Sequence, residues 1–354
     1  MSRFFSDKLS ALEPYTPGEQ PRDMVYIKLN TNESPYPPSP SAIAVLESGE
    51  ANLLNLYSDP TSRVLHQAIA DYYGISSDRV IASNGSDEVL AFAFNAFASG
   101  KSLAFPDVTY GFYPVFANLF GIPYTTVALD DTFTIRVEDY AKIDSTVVIA
   151  NPNAQTGTYL PLSKIEELVV QNRDRIVIVD EAYIDFGGES AVPLTDRYDN
   201  LLVVQTFSKS RNLAGARVGF AVGSADLIAD LNRVKYSFNP YNVNRLSMVA
   251  AAEAMKDRQY FTECTQKVIE TRAYTADELK KLSFTYPVSM SNFILARCDR
   301  ISGKELYLKL KSKGVLVRHL SDERITDYIR ITIGSREQME TFIQKITEIL
   351  EELK

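Results

Sequence analysis

Two patterns of apolar positions alternate along the first two thirds of the chain. Segments 79–82, 102–105, 146–150 and 175–180, apolar apart from their first residues and Asp180, read as short buried strands. Between them, residues 62–73, 89–98 and 165–170 carry apolar side chains at helical spacing, the first stopping at Gly74. Strands that are apolar on both faces, separated by helices, predict an α/β fold with a mainly parallel sheet covered on both sides. From about residue 261 the pattern changes to longer charged helices, over 262–282 and 337–353, with strand-like segments at 292–297, 315–318 and 328–333 between them. That is the pattern of a second, smaller α+β domain. The first 40 residues are polar and proline-rich, and Pro-Tyr-Pro-Pro-Ser-Pro at 35–40 forces extended backbone, so they read as an arm lying on the body. The expected division is 1–45 for the arm and part of the small domain, 46–262 for the large domain and 263–354 for the small one.

Composition narrows the class. A chain of 354 residues, 45% hydrophobic and 23% charged, is ordinary for a globular protein with a large core, and no stretch approaches the roughly 18 apolar residues of a membrane helix. The net charge of -8 leaves no electrostatic footprint for nucleic acid, though local basic sites for small anions remain open. Cys264 and Cys298 are the only cysteines and the N-terminus lacks the apolar core of a secretory signal, so a reduced, cytoplasmic protein is expected. The two histidines, His66 and His319, show no metal-ligand spacing and read as structural or surface residues. The glycine and serine motifs of P-loop enzymes, dinucleotide binders and α/β-hydrolases are absent.

The candidate chemistry lies in the turns that follow the strands, where an open α/β sheet binds its ligands. Four polar turns meet that description: 83–88, 151–157, the segment from Asp180 to Tyr183, and Phe207-Ser-Lys209. The turn at 83–88 joins strand, glycine and helix; Ser86 or Asp87 could cap that helix, and its first N–H groups offer an anion site or simply ordinary packing. Tyr110, at the mouth of another turn, is either a stacking platform or a surface tyrosine. Arg318 and Arg330 lie near or within strands, where salt bridges or a bound anion would satisfy them. Lysines after strands are ordinarily solvated. Lys209 has stronger claims when the set is taken together. An aldehyde cofactor with a pyridine ring and a phosphate would use Lys209 as its Schiff-base amine, Asp180 at the ring nitrogen and Tyr183 at the ring hydroxyl. Gly85, Ser86, Ser208 and Arg217 would take its phosphate and Tyr110 would cover its ring.

These residues carry a resemblance to the fold type I, pyridoxal-phosphate-dependent aminotransferases of class II, histidinol-phosphate subgroup, over nearly the whole chain. The lysine motif is matched by 206–219, Thr-Phe-Ser-Lys-Ser-Arg-Asn-Leu-Ala-Gly-Ala-Arg-Val-Gly. Val-Asp-Glu-Ala-Tyr at 179–183, Asn-Gly-Ser-Asp-Glu at 84–88 and Pro-Asp-Val-Thr-Tyr at 106–110 match further elements. Subgroup features are the segments 29–33, 57–60, 240–244 and 328–334. The resemblance implies a mixed, mainly parallel seven-stranded sheet, with Lys209, Asp180 and Tyr183 catalytic and Asp87 among the cofactor-binding residues. It implies a homodimer in which Tyr57 reaches the partner's cofactor phosphate and Tyr241 the partner's active site. It places Tyr15, Asn32, Arg318 and Arg330 at the substrate, with Arg330 binding the glutamate carboxylate and, with Arg318 and Tyr15, the phosphate of histidinol phosphate. The implied reaction is transfer of an amino group between histidinol phosphate and 2-oxoglutarate. Phosphothreonine-type decarboxylation, aromatic amino acid transamination and a non-catalytic cofactor-binding module are the alternatives. The chain departs from the family at Asn-Pro-Asn-Ala-Gln-Thr-Gly, 151–157, where Ala154 stands in place of the asparagine expected at the ring oxygen and Gln155 in place of a proline. Asn153 is the expected substitute. Ser58 and His66 also replace the usual proline and arginine, on what reads as a surface turn and helix.

Overall fold

The computed structural model describes residues 2–10, 12–141 and 143–353. Seven strands form the larger sheet: β2 (Val80–Ser83), β3 (Leu103–Pro106), β4 (Tyr124–Val127), β5 (Thr146–Ala150), β6 (Val177–Asp180), β7 (Leu201–Thr206) and β8 (Gly219–Val222). Their order is β2-β8-β7-β6-β5-β3-β4, and all adjacent pairs are parallel except the two that β8 makes. The apolar runs predicted a mainly parallel sheet, and the mixed, seven-stranded form is the one the family resemblance implies. Every residue of β5, β6 and β7 is buried, since helices cover both faces. The edge strand β4, largely exposed, lacks that apolar run and was not among the expected strands.

Four strands form the smaller sheet, in the order β1-β10-β11-β9: β1 (Ile27–Leu29), β9 (Phe293–Ala296), β10 (Val315–His319) and β11 (Ile329–Thr332). The arm is therefore more than a strap, because β1 pairs in parallel with β10. Register places Arg318 opposite Arg330 on neighbouring antiparallel strands. Cross-strand partners share a face, so two guanidiniums are set side by side there.

Among the described residues ten α-helices complete the fold. α1 (Pro40–Glu47), α2 (Arg63–Tyr73), α3 (Gly85–Ala98), α4 (Phe112–Phe120), α5 (Leu162–Gln171), α6 (Ala225–Phe238) and α7 (Arg245–Lys256) accompany the large sheet. α8 (Arg258–Lys281), α9 (Gly303–Ser312) and α10 (Arg336–Glu351) belong with the small one. α2 ends on Gly74 in the left-handed conformation, and α10 begins with a capping box between Ser335 and Gln338. α8 runs unbroken through residues 262 and 263, so the expected domain boundary falls within a helix that links the two sheets. Among the described residues no helix is long and apolar enough to cross a membrane.

Candidate active site

The ends of β5 and β6 are level, since Ala150 pairs with Asp180, and β7 runs two residues beyond Val204, the partner of Asp180, to Thr206. The turns that leave them open into one cavity of about 350 Å³ between the two sheets. Lys209, Asp180, Tyr183 and Ser208 line it from the β6 and β7 turns, and Ser86, Asp87 and Arg217 from the α3 side. Tyr110 joins them from the turn before α4, and Tyr15, Asn32, Arg318 and Arg330 from the arm and the small sheet. Segments separated by up to three hundred residues thus converge where the turns were expected to meet.

Asp180 is 3% exposed, and its raised pKa, about 6, follows first from burial. Two donors oppose that rise: the Tyr113 hydroxyl at 2.9 Å to Oδ2 and the Ala182 N–H at 3.2 Å to Oδ1. Tyr113 is fully buried and was not among the expected site residues. It follows Tyr110 by one helical step, but nothing in that spacing points its hydroxyl at a carboxylate 67 positions away. The neighbouring Glu181 turns elsewhere, accepting from Ser190 Oγ, the Ala191 N–H and Gln205 Nε2.

Lys209 Nζ reaches the Thr31 carbonyl at 3.3 Å and lies 5.8 Å from the centre of the Tyr183 ring. Withdrawal from water, and then the positive charge of Arg330, lower its pKa to about 8. The Tyr183 hydroxyl accepts from Asn32 Nδ2 at 2.9 Å. Asn32 is itself held in the left-handed region, φ 55°, with Thr332 Oγ1 bonded to both its N–H and its Oδ1. Its side chain therefore orients Tyr183 from a fixed position.

The α3 end has the shape of an anion cradle. Residues in the first turn of a helix present N–H groups without helical partners. Ser86 or Asp87 was expected to cap this helix, but the N-cap is Asn84, without a side-chain capping bond, and both residues lie inside the first turn. Asp87 serves instead as an anchor, accepting from Tyr110 at 2.8 Å and pairing with Arg217 Nη2 at 3.3 Å. Close approach explains two glycines here. A Cβ on Gly85 would stand 2.6 Å from Arg217 Nη2, and one on Gly219 would stand 2.2 Å from the Ser86 nitrogen. Gly85 shapes the turn behind the cavity wall and is not part of the lining.

Besides Gly85, three expected residues lie outside the lining. Asn153 is buried and faces away: its Nδ2 donates to the Val108 carbonyl, and its Oδ1 accepts from the N–H groups of Gln155 and Thr156. Its amide is used to close the turn, which leaves it outside the cavity lining. Tyr57 and Tyr241 also lie outside the lining, stacked on each other at 4.6 Å with Tyr57 80% exposed.

The arrangement fits pyridoxal phosphate by the chemistry of its donors. A buried carboxylate suits a protonated ring nitrogen, the Lys209 amine suits an aldehyde, and the α3 cradle with Ser208 and Arg217 suits a phosphate. Arg330 Nε is buried without a partner, an orphan donor beside the same cavity. Among the described residues no cluster of three or more His, Cys, Asp or Glu could hold a metal ion.

The family described as aminotransferase class I and II matches residues 25–346. The chain is 52% identical to the histidinol-phosphate aminotransferase of Brachyspira hyodysenteriae over 352 residues, covering 99% of each. Among solved structures it is similar to a putative histidinol-phosphate aminotransferase from Erwinia carotovora atroseptica, at 26% identity and TM-score 0.85, covering 92% of this chain and 96% of that one. It shares its fold with the histidinol-phosphate aminotransferase of Sinorhizobium meliloti in complex with pyridoxal-5'-phosphate, at 21% identity and TM-score 0.89, covering 100% and 99%.

Proposed function

Because the chain belongs to the class I and II aminotransferase family, we propose that it interconverts L-histidinol phosphate and 2-oxoglutarate with 3-(imidazol-4-yl)-2-oxopropyl phosphate and L-glutamate, in histidine biosynthesis, using pyridoxal 5'-phosphate. The observation that carries this reading is one cavity bordered by Lys209 and Asp180 at one end of the chemistry and by the Arg318–Arg330 pair at the other. Like charges set opposite each other on a sheet are unfavourable unless an anion lies between or beside them. A carboxylate or a phosphate ester supplies that anion, which suits both substrates.

When bound, pyridoxal phosphate supplies an electron sink for negative charge on the substrate Cα. Lys209 is the amine that holds it and, once released, takes the proton from the substrate Cα and returns it on the other side of the exchange. A pKa lowered to about 8 raises the neutral share of that amine far above that of an ordinary lysine, in the direction the proton transfer needs. Asp180 holds the proton on the ring nitrogen, with Tyr113 fixing the carboxylate. Tyr183 serves the ring oxygen, Tyr110 covers the ring, Ser86, Ser208 and Arg217 with the Gly85 turn secure the phosphate, and Asp87 holds Tyr110 and Arg217 in place beside it. Arg330 takes the anionic group of either substrate, with Arg318, Tyr15 and Asn32 bordering the same end.

A homodimer belongs to the same proposal. Tyr57, Leu54 and Phe238 are 80%, 57% and 77% exposed, and Tyr57 stacks on Tyr241 of the segment that carries Phe238; a second copy would cover these apolar side chains. Tyr57 and Tyr241 would then face the partner's cavity. The cytoplasm as location, and the division into 1–45, 46–262 and 263–354 with α8 as connector, complete the reading. Steady-state assay with 2-oxoglutarate as acceptor tests it: histidinol phosphate should be preferred over phenylalanine and tyrosine by at least about a hundredfold in kcat/KM. Preference for the aromatic amino acids would overturn the substrate assignment.

A further inference from the structure

The turn that departs from the family does something specific in this chain. Arg330 Nη1 donates to the Ala154 carbonyl at 3.0 Å and to Gln155 Oε1 at 2.8 Å. An Nη nitrogen carries two N–H groups, so both are used. Nε is buried without a partner, and Nη2 makes no hydrogen bond among the described residues. The free donors are therefore the parallel Nε and Nη2 pair, the edge of a guanidinium that matches two oxygens of a carboxylate or phosphate. Phe293, whose ring centre is 5.1 Å from the Arg330 guanidinium carbon, adds a packing surface.

We infer that Gln155 is a positioning residue for substrate recognition: it anchors Arg330 by Nη1 and so turns the Nε–Nη2 edge toward the substrate's anionic group. The inference rests on the reading that Arg330 receives that group. Gln155 can do this because Asn153 Oδ1 fixes the turn, accepting from the Gln155 N–H at 2.9 Å and the Thr156 N–H at 3.1 Å. Ala154 contributes only its carbonyl to Arg330. The neutrality of Gln155 matters as much as its reach. A carboxylate here would pair with Arg330 and cancel the positive potential that Arg330 and Arg318 present, whereas an amide oxygen orients the guanidinium and leaves its charge for the ligand.

Three forms of the holoenzyme decide the matter: the wild type, Gln155→Met and Gln155→Glu, each assayed for KM and kcat with glutamate and with histidinol phosphate, with thermal melting as a folding control. Methionine keeps the length of the side chain and loses the acceptor. KM should rise about tenfold for both substrates in Gln155→Met, with kcat within about threefold of the wild type. Gln155→Glu, closest in shape to the native side chain, should raise KM further, because its charge competes with the ligand for Arg330. A Gln155→Glu enzyme with wild-type KM for glutamate would overturn the inference, as would a Gln155→Met enzyme that loses kcat and keeps KM. If the wild type consumes glutamate but leaves histidinol phosphate untouched, the substrate assignment fails, and the glutamate comparison still decides the role of Gln155.

Discussion

Tyr113 and Asp180 illustrate how a single buried contact sets the chemistry available to a carboxylate. Burial alone favours the neutral acid, and the Tyr113 hydroxyl works against that by donating to the charged form. Removing it with Tyr113→Phe leaves burial less opposed, so the Asp180 pKa rises from about 6. The acid limb of the kcat/KM profile should then move to higher pH and the cofactor should dissociate about tenfold more readily. An unmoved acid limb with unchanged cofactor affinity would show that Tyr113 only fills space. The residues whose chemistry is unusual for their position, Lys209 after a strand and Asp180 at a strand end, were legible in the sequence. Tyr113 and Asn32 were harder to read because their roles depend on where a hydroxyl or amide points. Asn153 was misleading for the same reason: its residue type suited the cofactor, but its amide closes the turn that carries Gln155.

At the scale of elements, α2 is tied to β2 by His66, whose Nε2 accepts from the Ala82 N–H at 3.0 Å. It is a structural residue, and although it was expected on a surface helix its ring is withdrawn from water. Only the neutral ring can accept, and burial, followed by the charge of Lys235, lowers its pKa to about 4 from the usual 6.5. The folded state therefore binds this proton less readily than the unfolded chain. The stabilisation is present above about pH 6.5 and is lost as pH falls toward 4, amounting to about 3 kcal/mol over that window. Urea midpoints at pH 7 and pH 4.5 should differ more for the wild type than for His66→Gln; equal differences would remove His66 from the account. The strands and helices read from the sequence lie within a few residues of their observed bounds, but the buried strand β8 and the helices α1, α6, α7 and α9 were not foreseen even though they carry apolar faces. β1, three residues long in a proline-rich arm, and the exposed edge strand β4 were not foreseen either, since neither carries the pattern of burial on two faces.

Across the whole molecule, the two sheets divide the work: the large one sets Asp180 at the end of β6 and Lys209 in the turn after the neighbouring β7, and the small one supplies the paired arginines over them. The charge balance of the chain is negative, yet the fold gathers Lys209, Arg217, Arg318 and Arg330 around one cavity. Neither that convergence nor the exposed Tyr57–Tyr241 face can be derived from periodicity, because both depend on how distant turns are brought together. Among the described residues Lys209 is the only lysine that lines the cavity, although lysines are spread along the whole sequence. Reduction of the holoenzyme with borohydride, followed by peptide mapping, fixes the cofactor to the amine that held it. The label is expected on Lys209 alone, and absent from that position in Lys209→Ala; a label on any other lysine, or none in an active holoenzyme, would contradict the account.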